Sequence, residues 1–356
     1  MAGTGIVKDE RYMDHVAMDY HPESAQRLEV LYRLLEEPGM AGSFTLIPPR
    51  PATEEEIEWI HTPPYFQLVA STAQRPYTML DPDTYACPKS FDTAKLAVGG
   101  CLEAVDRVMQ GKVKNAFAFI RPPGHHAEAN RAMGFCLFNN VAIAAEYALR
   151  SYKLKKALII DWDLHHGNGT QRSFYERADV LYFSTHQYPY YPGTGHINET
   201  GKGAGAGFTV NVPLSAGPGD AEYMEIFEEI LEPIALEYQP DIVFVSAGFD
   251  IYYQDPLGGM QVTPHGFANL ARIILEFSEK TSKGRMVFVL EGGYHLDGLR
   301  DSVRSVLQVM KGESLSQGRD EKLREKIDRV MVASIIEKVK ETQRVFWKNL
   351  EWGRKA

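Results

Sequence analysis

Six apolar runs of about five residues alternate with helical patterns between residues 116 and 310, and this alternation limits the chain to few folds. The runs cover 116–120, 157–161, 180–184, 208–212, 242–246 and 286–290. Helical spacing follows at 139–152, about 170–177, 220–238, 264–279 and 296–310. Most of the runs are apolar over four or more consecutive residues, so both faces of those strands need covering. That is the pattern of βα units on a parallel sheet, and the expected fold class is α/β.

Upstream, 4–8 reads as a first strand and 14–23, with His15 and His21, as a loop. Helices are expected at 24–37, 53–60, 64–72 and 91–111, and a turn at 81–84. The charged amphipathic tail at 319–348 suits terminal helices packed on the body, or an oligomer contact. No linker or shift in composition divides the 356 residues, so one domain spanning 1–356 is expected. Its core would run over about 5–310 and its helical extension over about 319–350.

No block of lysine and arginine offsets the net charge of -9, which argues against a nucleic-acid groove and mildly favours a cationic substrate. No apolar run approaches the ~20 residues that span a bilayer. Residues 1–15 lack the basic segment and apolar core of a secretory signal. The three cysteines, Cys87, Cys101 and Cys136, have no metal-ligand spacing and suit a reducing compartment. A cytoplasmic location is expected.

Function should collect beyond the carboxyl ends of the strands. After 116–120 come Arg121, Pro122, Pro123, Gly124, His125 and His126. Asp161, Asp163, His165 and His166 end or follow 157–161, with alternate residues able to share a face while the chain is extended. Asp250 follows 242–246, and Glu291, Gly292, Gly293 and Tyr294 follow 286–290. Four histidines, three aspartates and a tyrosine are therefore expected on one rim.

Each strand end alone could be ordinary hydrogen bonding; four together point to chemistry. Asp163, His165 and Asp250 make a three-ligand set that leaves positions for water and a substrate oxygen, as a catalytic zinc requires. His125 and His126 can transfer protons. Tyr294, in a glycine-flanked loop expected to be mobile, can donate to a developing oxyanion. Metal-assisted amide hydrolysis is the expected reaction.

The runs RPPGHH, GFCLFNN, DWDLHHGNGT, SAGFD with Asp255-Pro256, EGGY and the early HPE-x3-RL resemble the zinc-dependent histone deacetylase family. Asn168 resembles the class II branch, to which bacterial and archaeal amidohydrolases of this type belong. The resemblance implies an eight-stranded parallel sheet flanked by helices, a fold shared with arginases, and hydrolysis of ε-N-acyl-lysine in proteins or peptides. It makes Asp163, His165 and Asp250 the ligands of one Zn2+, with ferrous iron as an alternative occupant. His126 becomes the general base and acid, with Asn168 as its partner. His125, oriented by Asp161, becomes a cationic stabiliser, and Tyr294 polarises the carbonyl. A carboxylate partner should keep His125 protonated, whereas an amide partner frees His126 to exchange a proton near neutrality.

Phe135 and Tyr191 match the two walls of the family's lysine tunnel, Tyr191 standing where phenylalanine is usual. The carbonyl of Gly134 matches an acceptor for the substrate amide. Asp83 or Asp81 could clamp a substrate N–H, or simply form the turn. Structural K+ would match Asp161, Asp163, His165, Ser184 and Thr185, and a second K+ Phe174, Arg177, Val180 and Phe208.

Three other readings remain. An arginase-like dinuclear site needs another aspartate two places after Asp250, where Tyr252 stands. An acetylpolyamine amidohydrolase places a glutamate gatekeeper where this chain has Leu257, and an apolar residue there favours acyl-lysine. A silent acyl-lysine reader would not need its catalytic positions filled. Cys136 reads as a packed residue, His186 and His196 as loop residues or supports rather than ligands, and 193–207 as a loop without the P-loop ending. Acyl preference and any homo-oligomer are left open.

Overall fold

A computed structural model describes residues 3–17, 20–313 and 329–350. Its strands are β1 (Thr4–Val7), β2 (Phe44–Ile47), β3 (Thr78–Asp81), β4 (Thr84–Ala86), β5 (Asn115–Ala118), β6 (Ala157–Asp161), β7 (Val180–Gln187), β8 (Thr209–Leu214), β9 (Ile242–Ala247) and β10 (Met286–Leu290). Eight of them form one all-parallel sheet, ordered β2-β1-β5-β10-β9-β6-β7-β8. Strands β5, β6, β9 and β10 are buried along their whole length. Helices on both faces exclude water from them, and each large apolar side chain removed from water contributes about 1.5–3 kcal/mol.

The sheet order explains why the expected residues can meet. The four strands with polar ends, β5, β10, β9 and β6, are consecutive neighbours in its centre. With strands ~4.8 Å apart, their carboxyl ends fall within ~15 Å of one another. Residues more than a hundred positions apart in sequence thereby line one rim. Register sets the depth: Asp161 pairs with Ser246 on one side and with Ser184 on the other.

Helix caps position the loops between these strands. The side chain of Asn139 accepts from the N–H of Ala142 and starts the helix Asn140–Tyr152. Its amide nitrogen reaches back 3.3 Å to the carbonyl of Ala127, holding the segment that follows His126. Thr263 caps the helix Pro264–Thr281 in the same manner, with proline at the first helical turn.

Some elements differ from those the sequence suggests. β2 is a four-residue edge strand with Leu46 exposed, unlike the fully buried central strands. The turn at 81–84 is the tip of the antiparallel hairpin β3–β4, which does not belong to the main sheet. The strand expected at 116–120 is β5, which ends at Ala118, although Phe119 and Ile120 stay buried. The helix expected at 220–238 is broken by a π-turn over Phe227–Leu231 ahead of Pro233.

Of the tail, 319–328 lies outside the described residues, and the helix Arg329–Gln343 packs beside β8 at the sheet edge. There Gln343 donates to the carbonyl of Thr209 and Trp347 to that of Gly207. These bonds tie the terminal segment to the exposed flank of the last strand.

Candidate active site

The four central strand ends converge on a cavity of about 190 Å³. It is lined by Asp83, Pro123, His125, His126, Gly134, Phe135, His165, Tyr191, Leu257, Gly292 and Tyr294. That is smaller than the ~300 Å³ at which sites for drug-sized ligands begin, and it suits a slender chain.

At its floor one donor atom each from Asp163, His165 and Asp250 lies within 4.8 Å of the others. Nδ1 of His165 stands 3.2 Å from Asp163 and 3.1 Å from Asp250. The outer carboxylate oxygens are fixed by backbone donors: Gly292 N–H to Asp163 at 2.8 Å and Leu164 N–H to Asp250 at 2.9 Å. Burial opposes ionisation of both carboxyls. The charge of His125 and the bonds from His165 outweigh it at Asp163 and hold that carboxyl low, whereas Asp250, beside ionised Asp163, is pushed up. Two buried carboxylates around one imidazole, all aimed at a common point, are the donor set a small divalent cation requires.

The paired histidines differ in their partners. His125 Nδ1 lies 3.1 Å from Asp161, whose carboxylate also accepts from Tyr182 at 3.0 Å. Burial alone would lower the pKa of His125, but the carboxylates of Asp163 and Asp161 overcome it and raise it to about 10. His126 Nδ1 lies 2.8 Å from the amide oxygen of Asn168. Burial, with the positive charges of His125 and His165, pushes it well below the usual histidine range and so below the near-neutral exchange expected from its amide partner alone. The rings stand only 4.0 Å apart, so a proton on one disfavours a proton on the other.

Glycine and hairpin geometry build the tunnel walls. Gly134 adopts φ +57, and a Cβ there would lie 2.2 Å from the His126 ring, so only glycine lets this backbone approach the imidazole. Phe135 follows with φ +67. Asp83 accepts from the N–H of Gly134 and Thr84 from that of Phe135, both at 3.0 Å, so the β3–β4 tip grips this wall from behind. Tyr191 forms the opposite wall, its ring 5.2 Å from His126 and edge-on. Tyr190 donates to the carbonyl of Leu257 at 3.1 Å, closing the mouth on that side.

Two expectations are corrected. His166 does not join the rim: it bonds Thr194 at 2.7 Å and Gln171 at 2.9 Å and supports the loop behind Tyr191. The segment before Tyr294 is pinned rather than loose. Asp255 accepts from the N–H groups of Tyr294 and His295, and buried Arg27 donates to the carbonyls of Gly293 and Glu291. Burial keeps the Tyr294 hydroxyl far above its ordinary pKa, so it remains a donor. Asp81 turns to Arg131 and does not line the cavity.

Several supporting residues were not singled out from sequence. Glu291 accepts from the N–H groups of Gly124 and His125 and so carries the histidine loop on β10. Glu23 binds buried Arg121 and Arg27 beneath the same loops. Both carboxylates sit inside motif runs, and that position was their only signal. Cys136 is fully buried with its thiol on the carbonyl of Gly134, as a packed residue would be. His186 bonds Ser184 and the carbonyl of Gly195 and stays outside the cavity.

The histone deacetylase domain family matches residues 21–310, most of the chain. The chain belongs to the histone deacetylase family. It is 39% identical to a probable deacetylase of Archaeoglobus fulgidus over 356 residues, covering 97% of this chain and 99% of that one. It is 38% identical to the histone deacetylase HDA1 of Saccharomyces cerevisiae, covering 97% of this chain and 52% of HDA1. The chain thus spans about half the length of this yeast relative, and 41% of HDA1 from Candida albicans. The crystal structure of the HDA15 HD domain superposes with a TM-score of 0.91 at 38% identity, covering 98% of this chain and 96% of that one. This family member therefore has the histone deacetylase fold, as the sequence motifs imply.

Proposed function

We propose that this chain hydrolyses the amide of ε-N-acetyl-lysine, or a related acyl-lysine, in proteins or peptides. The observation that supports this most is the convergence of the Asp163–His165–Asp250 cluster, two histidines with opposite proton affinities and Tyr294 around one slender cavity. Asp163, His165 and Asp250 would hold one divalent metal, Zn2+ by the family's chemistry or ferrous iron, which when bound polarises the acyl carbonyl and acidifies water.

The chain's own groups supply the rest. Phe135 and Tyr191 would clasp the lysine methylenes between them, and Asp83 and Gly134 would offer acceptors to substrate N–H groups. His126 Nε2, kept unprotonated by burial and its charged neighbours, would take a proton from the attacking water. As oxygen bonds to the acyl carbon and the carbon–nitrogen bond breaks, that proton passes to the leaving amine. Tyr294 would donate to the oxygen that gains charge, and protonated His125 would offset that charge.

The family's K+ positions belong to this reading. Thr185 Oγ1, beside Ser184 on β7, is buried with no hydrogen-bond partner among the described residues. A second K+ would take Phe174, Arg177, Val180 and Phe208, and the Arg177 side chain is itself bound by Asp179 and Glu146. A cytoplasmic site of action is inferred with the rest; no helix among the described residues is long and apolar enough to cross a membrane.

Rates on an acetyl-lysine peptide and on N-acetylputrescine test the substrate class. The peptide should be the better substrate, because Leu257 offers a second ammonium no charge at the mouth. Preference for the polyamine would replace this reading, and tight peptide binding by metal-loaded protein without turnover would make the chain a reader.

A further inference from the structure

Glu128 lies outside the cavity, yet it fixes the orientation of a side chain that touches His126. Asn168 opens the helix Asn168–Phe174, and Arg172 stands four residues on, on the same face. Arg172 donates to Glu128 Oε2 at 2.7 Å, and Glu128 Oε1 accepts from Asn168 Nδ2 at 2.6 Å. Asn168 Oδ1 then meets His126 Nδ1 at 2.8 Å. Glu128 itself is 8% exposed and Asn168 2%. Their backbone is equally fixed: Glu128 forms a bridge with Arg131, and its carbonyl also lies 2.9 Å from Nδ1 of buried His61.

The direction of each bond follows from side-chain chemistry. Arginine only donates, and the glutamate side chain it pairs with offers acceptors at both oxygens. The Asn168 atom facing it must therefore be the NH2 group, which leaves the amide oxygen facing His126. That oxygen only accepts, so His126 Nδ1 must carry the proton and Nε2 the lone pair. Without Glu128 the amide could rotate and present its NH2 to Nδ1, and the lone pair would move to the wrong nitrogen.

We propose that Glu128, held by Arg172, is a positioning residue that sets the His126 tautomer through Asn168. This rests on the proposed role of His126 as base but concerns a different residue, and its test does not need turnover. The expected result is visible in nitrogen NMR of the full, zinc-loaded chain with labelled histidine, His126 being assigned by the signal missing from His126→Ala. Wild type should show neutral His126 protonated at Nδ1. Glu128→Gln, which can turn an N–H toward Asn168, should shift the signals toward the Nε2–H tautomer. It should also lower kcat on an acetyl-lysine peptide about tenfold or more with KM within about twofold, while Glu128→Asp, still an acceptor, recovers part of the loss.

A wild-type protein protonated at Nε2 overturns the proposal whether or not any variant folds. So does Glu128→Gln with an unchanged tautomer and unchanged kcat. If wild type turns over no acyl-lysine, the functional reading fails, and the tautomer measurement still decides the role of Glu128.

Discussion

The amide oxygen of Asn168 stands 2.8 Å from Nδ1 of His126, whereas the equivalent nitrogen of the neighbouring His125 faces a carboxylate. Burial and the charges of His125 and His165 hold His126 low, whereas the carboxylates of Asp163 and Asp161 overcome burial at His125, so two adjacent imidazoles differ widely in proton affinity. One keeps its proton and the other can accept one, the separation expected of a stabiliser and a base.

That division predicts unequal losses. His126→Ala should lower kcat about 10²–10⁴-fold while metal content stays at the wild-type level. Steady-state kinetics beside metal analysis checks both. Retained turnover would remove His126 from the role of base.

Tyr294→Phe deletes one hydroxyl at the cavity wall and keeps the ring, whose backbone is pinned by Asp255. A loss of about 10²–10³ in kcat with an unchanged melting temperature is expected. A change in KM alone would place the hydroxyl in ground-state binding instead.

Gly134→Ala puts a methyl 2.2 Å from the His126 ring at a residue with φ +57. Backbone strain and the clash together should destabilise the chain by about 1–3 kcal/mol and reduce turnover as His126 is displaced. Thermal unfolding and kinetics of the variant measure the two effects separately. Wild-type values for both would mean that this backbone has room to retreat.

Stability should fall with acid as His61 takes up a proton in the unfolded chain but not in the folded one. His61 is buried, accepting from the N–H of Asn139 and facing the carbonyl of Glu128, an arrangement that needs the neutral ring. Burial lowers its pKa to about 4. Because the folded value is depressed, the unfolded chain binds the proton first. The contribution is thus complete above the unfolded pKa near 6.5 and is lost as pH falls from there toward 4. Melting temperatures between pH 7.5 and 4.5 should decline, and less steeply in His61→Gln. Equal slopes would assign the acid sensitivity to other groups.

Much of this architecture is legible in the sequence because the central strands are wholly apolar and their ends are polar. Asp163, His165 and Asp250 stand out as abrupt breaks in apolar runs, and the structure brings them together. What sequence does not convey is direction and neighbour. His165 and His166 are adjacent and chemically identical, yet they face opposite sides of the loop, and only the fold decides which turns to the cavity. The grip of Asp255 on Tyr294 is likewise invisible, since it joins loops from two strands by backbone donors that carry no side-chain signature. β2, Phe-Thr-Leu-Ile, has the composition of a strand but is only four residues long and lies outside the βα alternation that marks the others.

The measurement that tests the account most directly is deacetylation of an acetyl-lysine peptide by protein stripped of metal and then titrated with Zn2+. No turnover by the stripped chain, full recovery at one ion per chain, and no recovery in Asp250→Asn are expected. Undiminished turnover by the stripped chain, or recovery only at two ions per chain, would contradict this expectation.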